Sequence, residues 1–255
     1  MPITLSFREQ FALLTIDRPE ALNALSFALI AEIGNCLDQV AQSDARALLI
    51  TGAGEKAFCA GADIVELIGH DMHTHKRGVE LGQRTFAKLD TLPIPSVALI
   101  NGYAFGGGLE LALSCTFRLA SPNARVGLPE VKLGLIPGYG GTQRLPRVIG
   151  EARALDMILT GRTVKADEGL QMGLFNRVAE GDLVEAGIAF AREFSGYSLV
   201  ALRMARSAVQ RALQTTLEQG LQIEADLSTQ SYLSADAAEG MRAFADKRPP
   251  SFKDR

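Results

Sequence analysis

Val97-Ala98-Leu99-Ile100-Asn101-Gly102-Tyr103-Ala104-Phe105-Gly106-Gly107-Gly108-Leu109-Glu110 decides how this chain folds. The opening apolar run is short and partly β-branched, which predicts a buried strand. Leu109 to Leu113 are good helix formers, so Gly106, Gly107 and Gly108 stand where a strand turns into a helix. The first N–H groups of a helix have no partner inside it, and the helix dipole adds partial positive charge there. Three residues without Cβ let a ligand approach those amides. Glu110 falls in the first helical turn, so backbone donors and an acid meet in one place. Such a pairing can stabilise a developing oxyanion and move a proton. Plain packing glycines are the rival reading. A phosphate cradle is disfavoured because no Gly-Lys-Ser/Thr follows, and the G-x-G-x-x-G spacing of a dinucleotide site is absent.

The 255 residues of the chain, 47% of them hydrophobic, are enough to bury a core without cross-links. A net charge of −3 with no basic run argues against a nucleic-acid partner. Cys36, Cys59 and Cys115 are odd in number and widely spaced, as suits free thiols in a reducing compartment. No signal-like start and no apolar run near the ~18 residues of a membrane span is present. A soluble, cytoplasmic protein is expected, without a membrane partner.

The chain in order predicts strands over 3–7, 11–17 and 46–51, and a helix over 26–42 whose Phe27, Ile30, Ile33, Leu37 and Val40 recur at three- and four-residue steps. Lys56 to Ile64 is a second small-residue turn, in which Ala60, Gly61 and Ala62 expose backbone amides, with a helix expected from Asp63. His70, His73 and His75 lie in a polar, weakly periodic segment read as a mobile surface stretch rather than a metal cage. A helix over 74–89 leads to the central strand, and short strands follow at 117–120 and 125–127. Glu130 comes 20 residues after Glu110, before a third glycine-rich loop, Gly134 to Thr142. Beyond residue 150 helices are predicted over 151–160, 165–172, 182–195, 198–213, 215–233 and 235–246. Asp182 and Glu185 have the spacing of a capping box.

These pieces together resemble the crotonase superfamily, and most closely its enoyl-CoA hydratases. The likeness is carried by Arg18-Pro19-x-Ala-Leu-Asn-Ala-Leu25, Ala57 to Ile64, Asn101 to Glu110, Pro129-Glu130, Ile136 to Leu145 and Glu239 to Phe244 with Lys247-Arg248. The resemblance implies an α/β fold, a crotonase-like spiral of ββα units over 1–195, with a C-terminal helical region over 196–255 that mediates trimer formation. A homotrimer or a homohexamer is the implied assembly. It also implies that the N–H groups of Ala62 and Gly107 form an oxyanion hole and that Glu110 and Glu130 are the acid/base pair. Gly138 would help hold the attacking water. Ala21, Leu22, Ala60, Asp63, Ile64, Phe244 and Lys247 would contact coenzyme A, which belongs to the acyl-CoA substrate; no separate cofactor and no metal is implied.

The implied reaction is reversible hydration of a 2-trans-enoyl-CoA in fatty-acid or related acyl-CoA breakdown. Related isomerases often keep only the later acid, so the presence of both glutamates favours hydration. An isomerase, a branched or aromatic acyl-CoA hydratase, and a non-catalytic acyl-CoA- or RNA-binding relative are the alternatives. Val65 and Glu20 stand where many relatives carry basic residues, so the phosphates are expected to meet Arg18, Lys56 or a neighbour's Lys247. Tyr139 is bulkier than its counterpart in some hydratases, from which a narrowed acyl pocket is expected.

Overall fold

The protein is described by a computed structural model covering residues 2–255. β1 (Ile3–Arg8) and β2 (Phe11–Ile16) form an antiparallel hairpin. A 3-10 turn, Pro19–Ala21, and a short connector lead to α1 (Phe27–Ala41). Then a pattern repeats. β3 (Ala47–Gly52) turns sharply into β4 (Ala57–Cys59), followed by the single turn α2 (Ile64–Leu67) and by α3 (Met72–Thr91). β5 (Ser96–Ile100) and β6 (Tyr103–Phe105) precede α4 (Gly107–Ser114). β7 (Phe117–Ala120) and β8 (Arg125–Gly127) precede a 3-10 turn, Glu130–Leu133, and α5 (Gly141–Ile149). α6 (Glu151–Thr160), β9 (Val164–Lys165), α7 (Ala166–Gln171) and β10 (Arg177–Val178) complete the sheets. The chain ends in α8 (Leu183–Ser195), α9 (Leu199–Arg211), α10 (Leu217–Tyr232) and α11 (Ala235–Ala245).

Each repeat gives one strand to each of two sheets, so the chain winds as a spiral of ββα turns. One sheet runs β1-β2-β3-β5-β7-β10 and the other β4-β6-β8-β9. All pairings are parallel except β1 with β2 and β8 with β9. The inner strands β3 and β5 of the larger sheet are buried on both faces, which accounts for their unbroken apolar runs. Successive side chains point to opposite faces. Leu48, Ile50, Ala98 and Ile100 enter the main core with α1, while Leu49, Val97 and Leu99 pack under Ile188 and Ala191 of α8.

Asn23 and Asn101 make the sharp turn between the two sheets possible. Asn23 is fully buried and its Nδ2 donates to the carbonyls of Ala53 (3.1 Å) and Ala57 (2.8 Å). Asn101 Nδ2 donates to those of Gly52 (2.9 Å) and Gly54 (2.7 Å). Backbone groups that cannot reach a sheet partner are thus still satisfied.

The observed elements follow the sequence expectation through most of the chain, but the short strands β4, β6, β9 and β10 were not expected and several further points differ. The helix expected from Asp63 is one turn only, and α3 begins at Met72 instead of Thr74 because Asp71 caps it, accepting from Thr74 N–H at 2.7 Å. The histidine stretch is correspondingly not irregular: His73 and His75 open α3, and His70 stacks on Phe27 with ring centres 5.6 Å apart. The third glycine loop, expected to run to Thr142, ends at Gly140, and Gly141–Ile149, for which no helix was expected, form α5 with Pro146 inside it. Asp182 does cap α8, but Glu185 reaches across to Arg8 instead of back; the reciprocal box belongs to Thr216 and Gln219.

α4 crosses β4 so closely that a Cβ on Gly108 would lie 2.0 Å from the Cys59 carbonyl oxygen. Gly108→Ala should therefore lower unfolding free energy by at least about 3 kcal/mol, because neither main chain can retreat. Gly196→Ala, where a Cβ meets open space, should stay within about 0.5 kcal/mol of the parent. Urea titration of the two variants checks the contrast.

Candidate active site

The smaller sheet aims three connections at one place. Ala57 is paired with Tyr103 and Tyr103 with Arg125, and all three strands run parallel. Their carboxyl ends therefore release residues 60–62, 106–107 and 128–130 along the same sheet edge, where open parallel sheets characteristically bind ligands. A cavity of about 900 Å³ opens there, lined by Ala60, Ala62, Gly106, Gly107, Glu110 and Glu130 among others.

Two backbone N–H groups are free to face this cavity. Leu25 N–H donates to the Gly61 carbonyl (2.8 Å) and Asp63 N–H to the Leu25 carbonyl (2.9 Å). That bridge uses the residues flanking Ala62 and turns its own N–H to the opposite side. Gly107 is the first residue of α4, so its N–H has no acceptor within the helix. Gly106 reaches φ +49°, a left-handed region that favours glycine, and a Cβ there would meet Glu130 Oε1 at 3.0 Å.

Glu110 is 1% exposed and points from α4 toward the third glycine loop. Its Oε1 accepts from Tyr139 N–H (2.8 Å) and Gly141 N–H (2.7 Å). Burial pushes its carboxyl up to about 7; the amides of Gly141, Tyr139 and Gly140 pull the other way, and the charge of Glu130 adds to the rise. Burial also raises the Glu130 carboxyl, whose Oε2 is buried with no hydrogen-bond partner. A carboxyl in that position is better tolerated protonated than charged.

The loop that holds Glu110 is itself held by α3. Gln83 Nε2 donates to the Gly138 carbonyl (2.9 Å), and Arg144 makes a bidentate pair with Asp90 (2.8 and 2.6 Å). The Tyr139 ring meets Phe86 edge-on at 5.7 Å. None of these α3 positions stood out in the sequence. The available signal was the inward face of α3, Gly78, Gly82, Thr85, Phe86 and Leu89, which recurs at three- and four-residue steps.

The expected site residues divide into four groups. Glu110, Glu130, Ala62, Gly107, Gly138, Ala60 and Ile64 line the large cavity. Leu22 lines a smaller one of about 330 Å³ with Pro19, Asn23 and Lys56, and Ala21 ends the 3-10 turn beside it. Asp63 pairs with Arg18 at 3.5 Å. Phe244, 87% exposed on α11, and Lys247 just after it line neither cavity. Among the described residues no three His, Cys, Asp or Glu side chains gather as they would around a metal, and no helix is long and apolar enough to cross a membrane.

Comparison with known proteins points the same way. A sequence profile of the enoyl-CoA hydratase/isomerase family matches residues 6–255. The short-chain-enoyl-CoA hydratase of Clostridium acetobutylicum is 40% identical over 250 residues, 96% of this chain and 95% of its own length. The crotonyl-CoA hydratase of Syntrophomonas wolfei is 38% identical over 252 residues, covering 98% and 97%. The crystal structure of an enoyl-CoA hydratase from Bacillus anthracis superposes with a TM-score of 0.95 at 38% identity, with both chains covered completely.

The raised carboxyl of Glu110 makes a prediction for stability. The unfolded chain releases this proton near 4.5 and the folded chain near 7, so stability is full below 4.5 and is lost as pH rises through 7. Glu110→Gln keeps the acceptor for both amides and removes that loss. At pH 8 the variant should be the more stable by on the order of 3 kcal/mol, and the advantage should vanish below pH ~4.5. Denaturant titrations across this range measure it; an advantage independent of pH would contradict the assignment.

Proposed function

Since the chain belongs to the enoyl-CoA hydratase/isomerase family, we propose that it is an enoyl-CoA hydratase, a hydro-lyase adding water reversibly to a 2-trans-enoyl-CoA. The observation that carries this reading is Glu110, clamped at Oε1 by two amides and titrating near neutrality beside a second raised carboxyl in one cavity.

The steps follow from the chemistry. The thioester oxygen sits between the N–H groups of Ala62 and Gly107. As water attacks the β-carbon, negative charge develops on that oxygen, and both donors strengthen; a comparable donor elsewhere is worth about 100- to 1,000-fold. Ionised Glu110 takes one proton from the water through Oε2, with Gly138 helping to hold the water. Protonated Glu130 gives its proton to the α-carbon on the same face, a syn addition that yields the 3-hydroxyacyl-CoA. Afterwards Glu110 is protonated and Glu130 ionised, and exchange with solvent resets the pair. Charge and proton traffic are handled by the chain's own groups, so the reaction needs no cofactor.

Ala60, which lines the large cavity, donates its N–H to the Leu22 carbonyl (3.0 Å) of the smaller one, where Leu22 and Lys56 would receive the nucleotide end of coenzyme A, with Ile64 along the large cavity. Residues 196–255 are read as the assembly region. α9 and α10 contain no buried residue; Leu217, Leu221 and Phe244 are exposed on α10 and α11, and Leu213 and Leu233 are exposed in the connections beside them. Trimers built on these faces would bring Phe244 and Lys247 to a neighbouring site. A role in fatty-acid or related acyl-CoA breakdown follows from the substrate class.

Purified protein should bleach the conjugated-thioester absorbance of crotonyl-CoA, and kcat/KM should rise with pH through about 7 as Glu110 ionises. Glu110→Gln and Glu130→Gln should each lower kcat by about 100- to 10,000-fold while the fold survives. Near-normal turnover in either variant would refute the assigned pair.

A further inference from the structure

We propose that Tyr139, seated in a socket that Gly82 leaves open in α3, closes the acyl end of the cavity and confines the enzyme to short enoyl-CoA substrates. The substrate class rests on the hydratase reading above; the shape of the pocket does not.

Gly82 lies inside a 20-residue helix, where glycine costs about 1 kcal/mol relative to alanine. Its use is visible: a Cβ there would stand 2.2 Å from Tyr139 Cδ1 and 2.6 Å from Cε1. The opposite edge of the ring, Cδ2 and Cε2, would lie 3.1 and 3.2 Å from a Cβ on Gly107. The ring therefore spans the gap between α3 and the start of α4, and Phe86, one turn after Gly82, stops its edge. Only 6% of Tyr139 remains exposed, and that remainder lines the cavity.

The backbone that carries the ring is fixed, because Tyr139 N–H is tied to Glu110 and Gln83 holds the preceding carbonyl. It also rests against Gly107, the residue whose N–H takes the thioester oxygen. The acyl carbons just beyond the reacting double bond thus run up against the ring. A longer tail must push the ring aside or bend back toward Leu135 and Ile136 at the exposed rim. One methylene accepted or refused by an apolar pocket changes kcat/KM by about 10- to 200-fold.

The test compares kcat/KM for crotonyl-, hexenoyl- and decenoyl-CoA in the parent, in Tyr139→Ala and in Tyr139→Ala with Gly82→Leu. The parent should favour crotonyl-CoA over decenoyl-CoA by at least ~10-fold. Tyr139→Ala should erase that ratio whatever its absolute rate, and Gly82→Leu, refilling the gap from α3, should restore it. Equal use of both substrates by the parent, or an unchanged ratio in Tyr139→Ala, overturns the proposal. Calorimetry of the parent with butyryl-CoA and decanoyl-CoA reads the pocket without turnover. Tighter butyryl-CoA binding upholds the short pocket even if no enoyl-CoA is hydrated, an outcome that would sink only the hydratase reading. Equal binding sinks the short pocket alone.

Discussion

The carboxylate of Glu110, buried and gripped by the N–H groups of Tyr139 and Gly141, is the contact on which the rest of the site depends. Burial at this depth favours the protonated carboxyl. Burial and the charge of Glu130 raise its pKa, the amides of Gly141, Tyr139 and Gly140 lower it, and the balance lies at about 7, where both protonation states are accessible. The grip also fixes geometry. It ties α4, which presents the free N–H of Gly107, to the loop that presents Gly138 and Tyr139. Donor, acid and loop can hold their relative places only while that contact is made.

α3 sets the back of this arrangement. Gln83 donates to the Gly138 carbonyl, and the same peptide unit donates through Tyr139 N–H to Glu110. Hydrogen bonds in such a chain polarise one another. The amide of Gln83 thus acts on Glu110 through one peptide, without touching it. Arg144 with Asp90 pins the following helix to α3 in the same direction. The functional loop carries few contacts of its own and borrows rigidity from a long helix, as sites on loops generally must.

Much of this was legible in the sequence for a physical reason. Buried parallel strands must be apolar on both faces, so β3 and β5 stood out as unbroken runs, and Gly106 to Gly108 marked where helix α4 begins. Glu110 and the small residues at 60–62 were recognisable because amides can be offered to a ligand only where side chains are absent. What stayed hidden depended on distance in space. β4 and β6 are three residues long, too short for a period to show. α5 was hidden by Gly140, Gly141 and Pro146, which read as loop residues until Arg144 and Leu145 find partners. Gln83 and Gly82 carry no motif. Their meaning comes from a loop more than fifty residues away in the chain that packs on them.

The spiral explains why such different residues converge. Each turn places a short strand in the smaller sheet, parallel to its predecessor, and the residues after each strand leave from the same edge. A ligand at that edge meets the first turn's Ala62, the second turn's Gly107 and Glu110, and the third turn's Glu130. The division of labour follows from what comes next in each turn. α2 is only one helical turn, so Ala62 owes its free N–H to the Leu25 bridge; α4 begins at once, so Gly107 has its free N–H by helix geometry. In the third turn a 3-10 segment stands between strand and helix, and Glu130 opens it with a carboxyl oxygen left unpaired. Repetition of one backbone plan brings the groups together, and the interruptions of that plan give each group its own chemistry.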